Sequence, residues 1–354
     1  MRRSLALLSL LPSAALADVP RVITDIAPIH SLTTQVMGEL GTPDLLLPPG
    51  ADPHDFALRP SEAASLSKAD LVIWVGHGLT PWLEEPLETL APQASHLSLL
   101  ESEAWDKLPI REAGHHDDDH DTHDDHDEDG DHDHEEAHDD HDGHADHDDH
   151  DHEDDHADHA EHGDGDHEED QGDHDAHAHD HHDHGDFDPH AWLDPSIAQV
   201  WVEVIADNLA SADPENADIY AQNAERAIAD LQALEQELTT KLDGLSGNYI
   251  LPHDGYQYFE THFGLEAQAS IAGIDARDPG PAQVAALQDR MADEHITCVF
   301  SDAQIGARWA TLVIEGTDAR TAELDGVGNG LDAGAELYGQ TLRRLGDAFA
   351  DCLG

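Results

Sequence analysis

Short apolar runs alternate along the chain with segments in which apolar residues recur every three or four positions. The runs are typical of β-strands, and the periodic segments are typical of helices. Strands are predicted in the first part of the chain at residues 22–27, 45–47, 71–75 and 97–100. Helices are predicted there at residues 31–39, 61–69 and 82–90, the second with Ser61 as its N-cap. Because strands and helices alternate along the chain, we expect βα units around a parallel sheet.

The same alternation resumes in the C-terminal part of the chain. Strands are predicted there at residues 249–251, 267–271, 296–300 and 320–324. Helices are predicted at residues 256–263, 281–293, 307–316 and 333–352. This second set of βα units predicts a second parallel-sheet lobe.

Two helices are predicted between these sets. One covers residues 195–210, and the other begins at the N-cap pair Asp213-Pro214 and keeps its apolar period to Gly244. The second helix would be roughly 45 Å long, which is more than one lobe needs. The sequence therefore predicts an α/β protein with two parallel-sheet lobes joined by one long rigid helix, and one continuous doubly wound sheet is the alternative. The predicted domains are an N-terminal lobe at residues 18–212, a linker helix at 213–243 and a C-terminal lobe at 244–354.

The first residues have the features of a signal peptide. Arg2 and Arg3 precede an apolar stretch at residues 5–16, and Ala15-Leu16-Ala17 forms a small-residue cleavage site. The stretch is shorter than the roughly 20 residues that cross a membrane. We therefore expect residues 1–17 to be removed and the mature protein to reach the periplasm without inserting into the membrane. An uncleaved signal anchor is the alternative.

The charge balance narrows the class of partner. Asp and Glu number 79 in the 354-residue chain against 15 Lys and Arg, a formal net charge of −64. Because this charge repels nucleic-acid phosphates and anionic membrane surfaces, we expect neither to be a partner. Residues 115–184 alone hold 34 of the acids, 23 of the 31 histidines and no Lys or Arg. We therefore expect the ligand to be a cation. We also expect the chain to be a monomer.

Residues 115–184 form a histidine-rich insertion in the predicted N-terminal lobe. It lacks large apolar residues and cannot bury enough surface to offset its conformational entropy, so we expect it to be disordered. Neutral imidazoles ligate transition metals, and carboxylates attract divalent cations. The insertion is therefore predicted to collect zinc-like metal ions at many weak sites, and a merely solubilising linker is the alternative. Its candidate ligands are His132, His134, His150, His152, His177, His179, His181, His182 and His184.

Three histidines outside the insertion share a local context. His54, His190 and His253 each follow a proline and adjoin a predicted strand. Loops at strand ends are where α/β proteins concentrate their ligand-binding residues, so we expect these three to coordinate a metal. Asp302 follows the strand predicted at 296–300 and can supply a fourth, oxygen ligand. Neighbouring carboxylates can orient the imidazoles, and the candidates for this role are Asp188, Asp194 and Asp254.

The chain has two cysteines, Cys298 and Cys352. In an exported protein the default expectation for such a pair is an intramolecular disulfide. A pair of thiolate metal ligands is the alternative.

The histidine motifs carry a family resemblance. They are Gly50-Ala51-Asp52-Pro53-His54, Asp188-Pro189-His190-Ala191-Trp192 and His253-Asp254-Gly255-Tyr256, in this order along the chain. Together they resemble the metal-binding solute receptors of ABC transporters, most closely the zinc receptors, whose members often carry a His/Asp-rich insertion. The resemblance implies two α/β lobes bridged by a rigid helix, Zn²⁺ in the cleft between them, and delivery to an inner-membrane permease driven by an ATPase.

The same resemblance assigns the ligands. It implies that His54, His190 and His253 are the first three, and manganese and iron relatives generally have a carboxylate in place of the third. The fourth position falls on Asp302, where the usual Glu-Pro-Gln reads Asp-Ala-Gln and where water can complete the shell. The cysteine pair also resembles a disulfide found in part of the zinc branch.

The sequence thus predicts a zinc receptor without catalytic activity. A manganese, iron or nickel receptor of the same family is one alternative. A secreted zinc hydrolase is another, which requires an open coordination position for water and a general base beside it.

Overall fold

The computed structural model describes residues 19–111 and 185–354. The signal peptide predicted at residues 1–17 and the candidate histidines of the insertion lie outside these residues. Within the described part of the chain, no helix combines the length and the apolar character needed to pass through a membrane.

The first lobe is built on a parallel sheet with strand order β2–β1–β3–β4. Its strands are β1 (Val22–Thr24), β2 (Asp44–Leu45), β3 (Leu71–Trp74) and β4 (Ser95–Ser98). Its helices are α1 (Ala27–Met37), α2 (Pro60–Leu66), α3 (Glu84–Leu90) and α4 (Pro195–Ala212). All residues of β1 and β3 are buried, as expected for the inner strands of a parallel sheet covered by helices.

Several element bounds of this lobe differ from the sequence prediction. The strand predicted at 22–27 ends at Thr24, and the helix predicted at 31–39 begins four residues earlier, at Ala27. The strand predicted at 97–100 is β4, two residues earlier, where Ser95 pairs with Leu71. Its polar, exposed first residues are allowed because β4 is an edge strand with one neighbour. The helix predicted to start behind Ser61 begins at Pro60, since proline is preorganised for the first helical position.

The second lobe repeats the order of the first, as β6–β5–β7–β8. Its strands are β5 (Asn248–His253), β6 (Ala269–Ala272), β7 (Ile296–Ser301) and β8 (Arg320–Glu323). Its helices are α6 (Gln257–Phe263), α7 (Pro281–Asp293), α8 (Ala307–Val313) and α9 (Leu337–Leu353). Because the two sheets are separate, the alternative of one continuous sheet is wrong, and the two-lobed α/β class is confirmed.

The long helix between the sheets is α5 (Ala217–Leu242), with 26 residues and a length of about 39 Å. It is shorter than predicted because Pro214–Asn216 form a 3-10 turn ahead of it. Its buried face packs against α1, α4 and α9, elements of both halves of the chain. The buried positions recur every three or four residues, at Tyr220, Ala224, Ala227, Leu231, Leu234, Leu238 and Leu242. The domain borders at 212 and 243 stay predictions.

The predicted disulfide is present and lies in the core of the second lobe. It joins Cys298 of β7 to Cys352 of α9, and both residues are buried. The bond closes a loop with a sequence separation of 54, which can stabilise the fold by about 4 kcal/mol through the entropy of the unfolded chain. It fixes the last helix to the sheet strand that leads to Asp302.

The sheet order also explains how the two candidate ligands of the second lobe meet. His253 is the last residue of β5, and Asp302 directly follows β7. The two strands are parallel neighbours, so their carboxyl ends lie at the same edge of the sheet.

Candidate metal centre

The three histidines singled out in the sequence come together. His54 lies in the loop after β2, His190 precedes a 3-10 turn at Ala191–Leu193, and His253 ends β5. Each offers one ligand atom, and these atoms all lie within 4.8 Å of one another. All three side chains are buried. The separation is compatible with one tetrahedral zinc ion, whose ligand atoms lie about 3.4 Å apart.

His253 is oriented from behind by Asp302. Its Nδ1 donates to Oδ2 of Asp302 at 2.6 Å, which leaves the lone pair on Nε2. That Nε2 is buried and has no hydrogen-bond partner in the described part of the chain. A buried lone pair of this kind fits a metal ion, and a carboxylate behind the ring makes the imidazole a more basic ligand.

Asp302 is itself held in its charged form. Burial raises the pKa of its carboxyl, but the hydrogen bond and charge of His253 and two backbone N–H groups outweigh burial, so the net pKa is lowered. The two N–H donors are those of Gln304 and Ile305, each 3.0 Å from Oδ1. Both carboxylate oxygens therefore already accept hydrogen bonds. The assignment of Asp302 as a fourth ligand stays a prediction, and the geometry instead places it behind His253.

His190 has a similar arrangement with Asp188. Nδ1 of His190 is 2.8 Å from Oδ1 of Asp188, and the same oxygen accepts from the backbone N–H of His190 at 2.9 Å. Asp188 is fully buried, and burial raises its pKa to about 7 despite the opposing effects of His190, Arg111 and His253. A metal ion on the far side of the ring would favour the ionised carboxylate. Asp188 thus orients an imidazole as predicted.

Gly255 leaves the space into which two of the rings point. A Cβ at this position would lie 2.2 Å from Nε2 of His253 and 2.9 Å from Nε2 of His190. The two Nε2 atoms therefore face one small volume, which a side chain as small as that of alanine would occupy. Sequence reasoning missed this residue, although a glycine two positions after a strand-end histidine was a usable signal.

The loop that carries His54 is fixed on both sides. The carbonyl of Pro53 accepts from the indole Nε1 of Trp82 at 2.8 Å, a contact inside the first lobe. The backbone N–H of Gly50 donates to Oδ1 of Asn329 at 2.8 Å, a contact with the second lobe. His54 is therefore held by a loop that contacts both halves of the molecule.

Asp194 and Asp254, the other two carboxylates predicted to orient imidazoles, pair with residues other than the three candidate ligands in the contacts that the structure describes. Asp254 pairs with Arg111, whose guanidinium also contacts Glu260 at 2.8 Å. Asp194 pairs with His262 at 2.9 Å. Arg111 was missed because its partners, 143 and 149 residues away, cannot be read from spacing.

The known proteins to which the sequence is similar are zinc-uptake proteins. A family model described as zinc-uptake complex component A, periplasmic (ZnuA), matches residues 22–352. The high-affinity zinc uptake system protein ZnuA of Paracoccus denitrificans (strain Pd 1222) is 44% identical over 356 residues, covering 99% of this chain and 98% of that protein. The protein of the same name from Brucella abortus (strain 2308) is 35% identical over 333 residues, covering 94% and 91%.

Solved structures of other proteins have a fold similar to that of this chain. A crystal structure of ZnuA aligns with a TM-score of 0.67 at 19% identity, covering 95% of this chain and 100% of that chain. A mutant structure of the laminin-binding adhesin Lmb from Streptococcus agalactiae aligns with a TM-score of 0.65 at 19% identity, with the same coverage. At this level of identity the likeness concerns the two-lobed fold alone.

Proposed function

This chain belongs to the ZnuA family of periplasmic zinc-uptake components, and from that premise we propose that it captures one Zn²⁺ in its cleft and delivers it to an ABC permease. The observation that carries the proposal is the convergence of ligand atoms from His54, His190 and His253. The family's function is transport, so we propose no catalytic role.

The three imidazole donors support zinc over manganese and iron, the harder metals bound by other receptors of the same family. Three neutral imidazoles suit zinc, whereas manganese and iron(II) receptors use more oxygen ligands. The carboxylates of Asp188 and Asp302 accept hydrogen bonds from the ring nitrogens and do not point between the rings. We therefore propose that the three histidines bind the ion directly and that the two aspartates orient them.

The fourth position of the shell follows from the same contacts. The ligand atoms that lie within 4.8 Å of one another belong to His54, His190 and His253, whereas Asp302 is bonded to Nδ1 on the far side of His253 and to two backbone N–H groups. Three imidazoles and a water molecule make a complete tetrahedral shell. We propose water there, with Asp302 as the alternative ligand.

The rest of the uptake pathway is proposed from the sequence. Residues 1–17 direct export to the periplasm, where an inner-membrane permease and its ATPase receive the metal. Residues 115–184 collect zinc at many weak sites and keep it at high effective concentration for a receptor on the same chain. Protons compete for the imidazoles, so this collection weakens as the pH falls.

Metal titration tests the central proposal. The protein, purified without a metal-affinity column and stripped of metal, is titrated with zinc in competition with a chelator of known affinity. We expect one tight zinc followed by several weak ones, and we expect excess Mn²⁺ to leave the tight site in the zinc form. Tight manganese binding, or the absence of a single tight zinc event, would contradict the proposal.

A further inference from the structure

Hydrogen bonds run across the cleft between the loop of His54 and the loop of Asp302, and Gln304 lies at their centre. We propose that Gln304 is a positioning residue that connects the loop of His54 to the loop of Asp302 and thereby slows the release of captured zinc. The inference rests on the proposed function, because it concerns the rate at which the same centre opens.

On the side of the second lobe, Gln304 contacts the carboxylate that orients His253. Its backbone N–H donates to Oδ1 of Asp302 at 3.0 Å, and Oδ2 of Asp302 accepts from His253 at 2.6 Å. Asp302 and His253 are both buried, so these bonds are shielded from water. The backbone of Gln304 is therefore fixed relative to the imidazole of His253.

On the side of the first lobe, the side chain of Gln304 reaches the loop of His54. Its amide Nε2 is 3.4 Å from Oδ1 of Asp52, and the same oxygen accepts from the backbone N–H of His54 at 2.9 Å. Asp52 thus receives one donor from each lobe. A continuous set of hydrogen bonds then joins His253 to His54 through Asp302, Gln304 and Asp52.

The arrangement bears on release because His54 and His253 belong to different lobes. An ion held by both is set free when the two loops separate, and separation must break the bond between Gln304 and Asp52. The nearby bond from Gly50 to Asn329 joins the same first-lobe loop to the second lobe and does not involve Gln304. Loss of the Gln304 side chain should therefore loosen the closed state without abolishing it.

The chemistry of the side chain makes the role testable by substitution. Gln304→Ala removes the amide donor but keeps the backbone N–H that holds Asp302. Gln304→Glu keeps the size and places a carboxylate where Asp52 needs a donor, so the two groups repel. Gln288→Ala is the matched control, because the amide of Gln288 donates to the carbonyl of Leu312 at 2.9 Å between α7 and α8 of one lobe.

The experiment measures zinc release from the full chain loaded with one equivalent of zinc. The protein is mixed with excess chelator, and the slowest phase reports the cleft, while capture by the metal-free protein is timed separately. We expect Gln304→Ala to speed release about threefold, because the lost hydrogen bond is long at 3.4 Å and therefore weak, with capture close to the wild-type rate. Gln304→Glu should release faster still. Gln288→Ala should behave as wild type.

Unfolding of the metal-free proteins separates positioning from general destabilisation. Gln304→Ala should keep the denaturant midpoint of wild type, because the contact of Gln304 with Asp52 matters for the closed cleft. Wild-type release rates in both Gln304 variants would overturn the inference while leaving the proposed function intact. If the wild-type chain itself has no slow phase of one equivalent, the proposed function fails, and the inference fails with it.

Discussion

Two places in the molecule combine imidazoles with carboxylates, but in opposite arrangements. One is the metal centre, and the other is the junction formed by His262 of α6, Glu235 of α5 and Asp194. In the centre, ligand atoms of three imidazoles face one another, and Asp188 and Asp302 lie behind two of the rings. At the junction, a single imidazole lies between two carboxylates. Nδ1 of His262 is 2.9 Å from Asp194, and Nε2 is 3.3 Å from Glu235.

The difference determines which cation the donor groups of each place favour. A metal ion needs nitrogen lone pairs pointing inward, which the centre provides because carboxylates accept the outward N–H groups. At the junction both ring nitrogens of His262 face acceptors, so the favoured cation is a proton on the ring itself. Burial lowers the pKa of His262, but the hydrogen bonds and charges of Asp194 and Glu235 outweigh burial, and the net pKa is raised.

The largest expected effect comes from removing one converging imidazole. His253→Ala removes one of the three proposed ligands, and we expect the tight zinc site to weaken by more than about 100-fold, beyond the tenfold to hundredfold typical of losing an outer partner. His54→Ala and His190→Ala should do the same. Chelator competition measures the change, and His262→Ala is the matched control that should keep tight zinc. Wild-type affinity in any of the three ligand variants would contradict the assignment.

Filling the space between the rings should have the next largest effect. Gly255→Ala places a Cβ 2.2 Å from Nε2 of His253, so the rings must shift apart. Overpacking of this kind costs about 1–3 kcal/mol, which corresponds to roughly 5- to 150-fold weaker zinc binding. Gly273→Ala is the control, since the nearest atom to its Cβ would be at an ordinary 3.6 Å. Equal affinities of the two variants would mean that the ion lies elsewhere.

Replacing the carboxylate behind His253 tests its role directly. Asn can still accept from Nδ1 but carries no charge, so Asp302→Asn should weaken zinc binding about tenfold. Asp302→Ala removes the acceptor and should reach about 100-fold. The same competition assay compares both variants with His253→Ala. If Asp302→Asn loses as much affinity as His253→Ala, Asp302 is a ligand and the shell proposed here is wrong.

The sequence was sufficient for the elements and for the converging histidines. Pro281–Asp293 forms a helix within the predicted bounds, because its apolar period begins at a proline and ends before a short loop. His54, His190 and His253 could be found because each follows a proline in a short motif, and His253 also ends a strand, at the edge of the sheet where ligand-binding loops concentrate.

Side-chain partners could not be found in the same way. Whether Asp302 points at an ion or at the back of His253 depends on a few ångströms of side-chain direction, which strand order leaves open. Asp194 and Asp254 stand in the histidine motifs, yet their partners His262 and Arg111 come from distant segments. Acidic residues are so frequent in this chain that proximity in sequence carries little information about pairing.

The smallest expected effect concerns the junction and depends on pH. A pKa raised by folding means that the folded protein binds the proton of His262 more tightly than the unfolded chain does. This stabilisation is complete below the pKa of the unfolded chain, near 6.5, and is lost as the pH rises through the folded pKa. His262→Gln should therefore lower the free energy of unfolding by about 1 kcal/mol at pH 5.5 and by less at pH 8.5.

Denaturant unfolding of the metal-free protein at pH 5.5 and 8.5 measures the change in the free energy of unfolding caused by His262→Gln. Two further substitutions on α5 test whether the charge of Glu235 causes the pH dependence. Glu235→Gln removes one of the two charges that face His262, so the pH dependence of the His262→Gln effect should shrink in that background. Glu237→Gln breaks an exposed pair with Arg343 at 2.9 Å and should leave the pH dependence unchanged, because arginine keeps its charge over this range. If His262→Gln lowers the free energy of unfolding equally at pH 5.5 and 8.5, the stabilisation comes from packing of the His262 ring and not from its proton. The proposed difference between the metal centre, which favours a metal ion, and the junction, which favours a proton, would then be wrong.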